Sequence, residues 1–191
     1  MLVVSEEIGV LLLHILCPKE RQKREVKRHE QTYVWQTLLL PVLFLLVSCT
    51  SERPLQQDLI NDPFPVAQAE LCEVIKSIVK DAKMANMEGL QAVHLVSDKF
   101  TKFGPRNFDR QDVASTNESE ATFFSSISNF KLEVKDLKID VFGDIGIATY
   151  YPHVSFVHDG EEKKTSGRQT LVFLKTKNGW KIVHEYATPK K

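Results

Sequence analysis

Among the 191 residues of this chain, few side chains stand in a pattern that could do chemistry. The last apolar segment, Trp180–Ala187, alternates so that Trp180, Ile182, His184 and Tyr186 share one side. Lys181, Val183 and Glu185 share the other. On the segment before it, Arg168, Thr170, Val172 and Leu174 oppose Gln169, Leu171 and Phe173. An imidazole, a phenol and a guanidinium on adjacent strands would fix a small ligand wherever an apolar cavity brought them together. The guanidinium would grip a carboxylate through two parallel hydrogen bonds. Asp98 and Tyr151 are further candidates, with Trp180 beside them. The competing reading makes His184 and Tyr186 core residues that lock strand pairing, Arg168 the partner of a nearby acid, and Trp180 packing. No Ser–His–Asp order, Cys–His pair or phosphate-cradling glycine loop is present, so no catalytic residue is assigned. No cysteine–histidine spacing fits a metal, no cofactor is implied, and His94 reads as a helix-surface or core residue.

The elements that must position these groups follow from periodicity. From Val66, apolar residues at Ala67, Leu71, Val74 or Ile75, Ile78 and Val79 recur at three and four, which predicts a helix. Met87–Val96 predicts a second helix, and Gly104-Pro105 breaks the chain. Ser115 with Glu118 forms a capping box opening a third, with Phe123, Phe124 and Ile127 inward. The rest reads as strands over Leu132–Phe142, Ile145–Val157, Thr165–Lys175 and Trp180–Ala187. Gly143-Asp144, Asp159-Gly160 and Asn178-Gly179 supply the turns between them. A slip of alternation between Val134 and Leu137 predicts a bulge. Helices first and an antiparallel meander after them make an α+β fold with the helices on one sheet face. Leu171, Phe173 and Val183 then predict that the outer face is also covered, by a homodimer.

Charge excludes one class of partner. Beyond Cys49 there are 19 basic and 20 acidic residues, without the concentrated basic face a nucleic-acid binder needs. Lys19, Arg21, Lys23, Arg24, Lys27 and Arg28 instead crowd ahead of the apolar run Leu38–Val47. That run is far shorter than the roughly 20 residues of a membrane-spanning helix, and it reads as a secretory signal. Leu46-Val47-Ser48-Cys49 resembles the lipobox of bacterial lipoproteins, which implies cleavage after Ser48 and lipidation of Cys49, palmitate among the acyl chains. Several acyl chains would anchor the protein stably to a membrane. Thr50 implies the outer membrane, facing the periplasm, where the host has two membranes. Residues 1–25 read as a mis-assigned extension, 26–48 as the signal peptide, 49–65 as lipidated cysteine and proline-rich tether, and 66–191 as the domain. Cys72, among Leu71, Ile75 and Val79, reads as a buried core thiol.

The domain itself resembles the nuclear transport factor 2-like superfamily, particularly its SnoaL-like and ketosteroid-isomerase-like members. Gly167-Arg168-x-Thr170-x-Val172-x-x-Lys175 and Asn178-Gly179-Trp180-Lys-Ile-Val-His184-Glu-Tyr186 carry the resemblance, with Tyr186 where relatives have a second histidine. It implies a cone, in which a curved antiparallel sheet wraps around the helices and leaves a pocket. Arg168, Trp180, His184, Tyr186, Tyr151 and Asp98 would line that pocket and hold a small apolar or carboxylate-bearing ligand. The chain departs from the isomerases, whose base falls near Gly104 and whose oxyanion tyrosine falls near Lys80. The expected function is a non-enzymatic binding or assembly module. The alternative is an enzyme of isomerase, cyclase or hydrolase type acting on a small hydrophobic carbonyl compound.

Overall fold

Proline at the first helical position, where a missing N–H costs nothing, opens helix α1, Pro65–Lys83. A computed structural model describes residues 58–105 and 107–190 of the chain. The expected features at Leu46, Val47, Ser48 and Cys49 lie outside them. Leu71, Cys72, Ile75, Val79 and Ala82 form the buried stripe of α1, and Lys80 and Lys83 in its last turn complement the helix dipole. Cys72 is buried in this stripe, as expected. No described helix is long and apolar enough to cross a membrane.

Helix α2 is only Met87–Ala92, four residues shorter than its periodicity predicts. The chain leaves it to bond the sheet: Ile182 N–H donates to Val93 O (2.8 Å) and Leu95 N–H to Ile182 O (2.9 Å). After strand β1, Thr101–Phe103, helix α3 runs Val113–Ser125. Its cap is Asp112, whose Oδ1 accepts from Ser115 N–H (2.8 Å) and Ser115 Oγ (2.7 Å). The predicted Ser115–Glu118 box is thereby displaced, because an ionised carboxylate is the stronger acceptor at a helix N-terminus.

Strands β2 (Ser128–Phe142), β3 (Ile145–His158), β4 (Glu161–Thr176) and β5 (Gly179–Pro189) form the meander. The sheet order is β1-β5-β4-β3-β2, with β1 parallel to β5 and the other pairs antiparallel. The hairpin at Asp159 (φ 53°) and Gly160 (φ 78°) has the positive φ pair that suits right-twisted strands. The predicted bulge is present between Lys135 and Lys138, with Asp136 left-handed at φ 53°. Helix α1 packs on the curved sheet closely enough that a Cβ on Gly146 would lie 2.3 Å from Leu71 Cδ1. Phe100, Phe173, Leu71 and Ile182 are the largest apolar residues fully inside this core.

Candidate ligand cavity

The inner face of the sheet and the helices border a cavity of about 440 Å³, open to solvent on one side and within the range of small-molecule sites. Phe123 and Phe124 of α3, with Phe130 of β2 and Phe156 of β3, make one wall in edge-to-face contact at centroid distances of 5.1–6.3 Å. These phenylalanines line the interior without filling it.

At the opposite side lies a cluster of ionisable groups. Lys102 of β1 and Glu185 of β5 are register partners, so their side chains project together into the interior. Two backbone hydrogen bonds between Lys102 and Gln111 (3.0 and 2.9 Å) steady β1 from its other side. Lys102 Nζ donates to Glu120 Oε1 (2.5 Å) and Glu185 Oε2 (3.0 Å). His94 Nε2–H donates to Glu185 Oε1 (3.0 Å), and its Nδ1–H to Asn117 Oδ1 (2.9 Å). A carboxylate oxygen at one ring nitrogen and an amide oxygen at the other favour the protonated ring. Two cations therefore face two carboxylates.

Burial alone would push the Glu185 carboxyl up, but Lys102 and His94 pull it down to about 2. Burial alone would lower His94 and Lys102, yet the charges of Glu185 and Glu120 raise both. Tyr150 is raised by burial and by Glu185, so its phenol stays neutral. It lines the cavity with no hydrogen-bond partner among the described residues. Gln169, its cross-strand neighbour, lines it too. His94, Glu120 and Glu185 each place a ligand atom within 4.8 Å of the others, as a metal site would. The Lys102 ammonium sits between the two carboxylates and already supplies that positive charge.

A family model described as a SnoaL-like domain matches residues 72–187. The chain belongs to the SnoaL-like domain family. Solved structures agree on the fold. A nuclear transport factor 2-like superfamily protein from Salmonella enterica is 22% identical, with TM-score 0.61 over 66% of this chain and 92% of its own. A protein from Streptomyces avermitilis described as a candidate dehydratase of the same superfamily is 15% identical, with TM-score 0.61 over 68% of this chain and 99% of its own. A third, from Cytophaga hutchinsonii, is 13% identical, with TM-score 0.55 over 64% and 98%. A search of curated proteins found no match.

Within this SnoaL-like domain the structure redistributes the predicted site. Val172 pairs with His184 and Phe173 with Ile182, so Val183 is an extra residue that breaks the alternation of β5. Beyond the bulge every side chain changes face. Trp180 and Ile182 point inward as expected, but Glu185 and Ala187 follow them, and His184 and Tyr186 turn outward. His184 Nδ1 is hydrogen-bonded to Thr101 Oγ1 (2.7 Å), and Tyr186 is 46% exposed. Trp180 is packed in the core, its Nε1–H donating to Glu70 Oε2 (2.8 Å). Tyr151 is exposed on the outer face, and Asp98 is exposed away from the cavity, accepting from Ser97 Oγ (3.1 Å). Of the six predicted residues only Arg168 lines the cavity, exposed at its edge and paired across the strand with Thr188. Leu171 and Phe173 face inward, contrary to the outer-face expectation.

The residues that sequence reasoning missed are His94, Lys102, Glu120, Glu185 and Tyr150. One signal was available: Lys102 and Glu185 each stand beside an aromatic residue, Phe103 and Tyr186. Nothing in the sequence pairs them.

Proposed function

We propose that this chain is a lipid-anchored cell-envelope protein whose SnoaL-like domain binds a small ligand without transforming it. The observation that carries the reading is the cavity together with the state of its ionisable groups. Glu185 is held ionised by two cations and is a poor proton acceptor; Lys102 and His94 are each committed to carboxylates. A general base needs a carboxyl tuned toward neutrality, and this one is tuned away from it. The polar groups left for a ligand are the Tyr150 phenol, the Gln169 amide and Arg168 at the edge, against a largely apolar wall. Anchoring through Cys49, at the outer membrane of a two-membrane host, rests on the basic cluster, short apolar run and Leu46-Val47-Ser48-Cys49.

The outer sheet face supports a homodimer on residues other than those first expected. Phe142, Ile145, Tyr151 and Tyr186 are 36–46% exposed there, more apolar surface than an isolated sheet face usually leaves in water.

The enzymatic alternative, acting on a hydrophobic carbonyl compound, is favoured by one feature. The neutral Tyr150 phenol stands in a desolvated site where it could donate to a carbonyl oxygen.

Native mass spectrometry of the full chain purified without ligand exchange tests the reading. An adduct lost on Tyr150→Phe or on filling the cavity by Leu132→Trp is expected. An interior that takes up no small molecule, co-purified or added, refutes it.

A further inference from the structure

An open groove adjoins the cavity, and five residues line both: Phe130, Leu132, Val154, Thr165 and Ser166. Four lysines converge on this groove from four elements: Lys83 at the end of α1, Lys131 in β2, Lys164 in β4 and Lys190 beyond β5. Lys83, Lys131 and Lys190 have no ion-pair partner among the described residues, and all four side chains are exposed. Lys164 has only the solvent-exposed Glu162, at 3.0 Å. The groove's one acid, Glu133, pairs with Lys135 at 3.4 Å. Within the cavity, by contrast, the charges of the cluster cancel. The positive potential therefore stands beside the apolar space, outside it.

We propose that the ligand of this cavity is an amphipathic anion, its apolar body among the phenylalanines and its anionic head, a phosphate or carboxylate, on the lysine groove. This rests on the reading that the cavity holds a ligand and adds which class. The size of the body follows from volume. At the roughly 30 Å³ that one water-sized heavy atom occupies in a liquid, 440 Å³ holds about 15 heavy atoms, the length of a medium acyl chain or a small fused aromatic. The five shared lining residues put the groove directly beside the cavity. The lysines act as point charges without the fork geometry of arginine, so they select charge rather than a particular planar group.

Dodecyl phosphate, dodecanol and dodecyltrimethylammonium serve as probes, with inorganic phosphate as competitor, on the full-length chain by native mass spectrometry and calorimetry. Dodecyl phosphate should bind more tightly than dodecanol by on the order of tenfold, the worth of one charge-assisted hydrogen bond. The advantage should shrink with added salt and vanish in Lys131→Glu/Lys190→Glu, read as the ratio of phosphate to alcohol binding within the same variant. The ammonium probe should bind least. Equal binding of phosphate and alcohol would overturn the anionic head group while leaving the cavity reading intact. Binding of inorganic phosphate as tight as that of dodecyl phosphate would show an anion site independent of the cavity and would also overturn the proposal. Failure of all three amphiphiles would overturn the ligand-binding reading itself.

Discussion

Replacing Glu185 by glutamine removes one charge and almost no volume from the centre of the cavity cluster. The carboxylate accepts from His94 Nε2 and Lys102 Nζ, both at 3.0 Å, and the residue is 7% exposed. Breaking a buried pair while its partners remain costs about 3–5 kcal/mol. Glutamine keeps one acceptor and Glu120 still faces Lys102, so the low end, about 3 kcal/mol, is expected. For a domain of this size that is roughly 10–15 °C in Tm. Glu162→Gln is the control: its pair with Lys164 is also 3.0 Å long, but the side chains are 71% and 58% exposed, so the change should stay under about 1 kcal/mol. The pH dependence is more specific. Because His94 titrates above its ordinary 6.5, its contribution to stability is complete below that value and is lost as pH rises through the raised one. Glu185, drawn from 4.5 to about 2, contributes fully above 4.5 and loses its contribution as acid protonates it. Wild-type stability should therefore be greatest between about pH 4.5 and 6.5 and fall on the alkaline side. Without the Glu185 charge, burial dominates His94 and that alkaline fall should disappear. Urea unfolding followed by circular dichroism across pH 4 to 9 reads both effects. A loss under about 1 kcal/mol with the alkaline slope retained would refute the argument.

Three other perturbations probe separate parts of the reading. Gly146→Ala drives a methyl to 2.3 Å from Leu71 Cδ1 and should cost about 1–3 kcal/mol in urea unfolding, an effect that truncating Leu71 would largely mask. Tyr186→Asp with Ile145→Asp places charge on the outer sheet face and should convert a dimer to a monomer in sedimentation equilibrium; an unchanged mass would place any association elsewhere. Cys49→Ser should abolish radiolabelled palmitate incorporation and release the protein from the membrane fraction, whereas retained label would dismiss the anchor.

Local signals carried most of the fold. The helix α1 stripe, the Asp159-Gly160 turn and the slip near Asp136 are read within a few residues, and the structure has each of them. The resemblance of Gly167–Lys175 and Asn178–Tyr186 to a known family was likewise legible, because strand ends and turns constrain residue type locally. The cavity chemistry was not. Strict alternation along Trp180–Ala187 places His184 inward and Glu185 outward, and the single bulge at Val183 reverses both. Ile182 and Val183 are both apolar, so no residue type marks where the extra one sits. Lys102 meets Glu185 only because a three-residue strand runs parallel to β5, and His94 reaches the same carboxylate only because the chain leaves α2 to bond Ile182. Periodicity reports which way a side chain points relative to its neighbours in sequence. Which charges face one another in a cavity depends on register between segments about 80 to 90 residues apart, and only the folded sheet sets that.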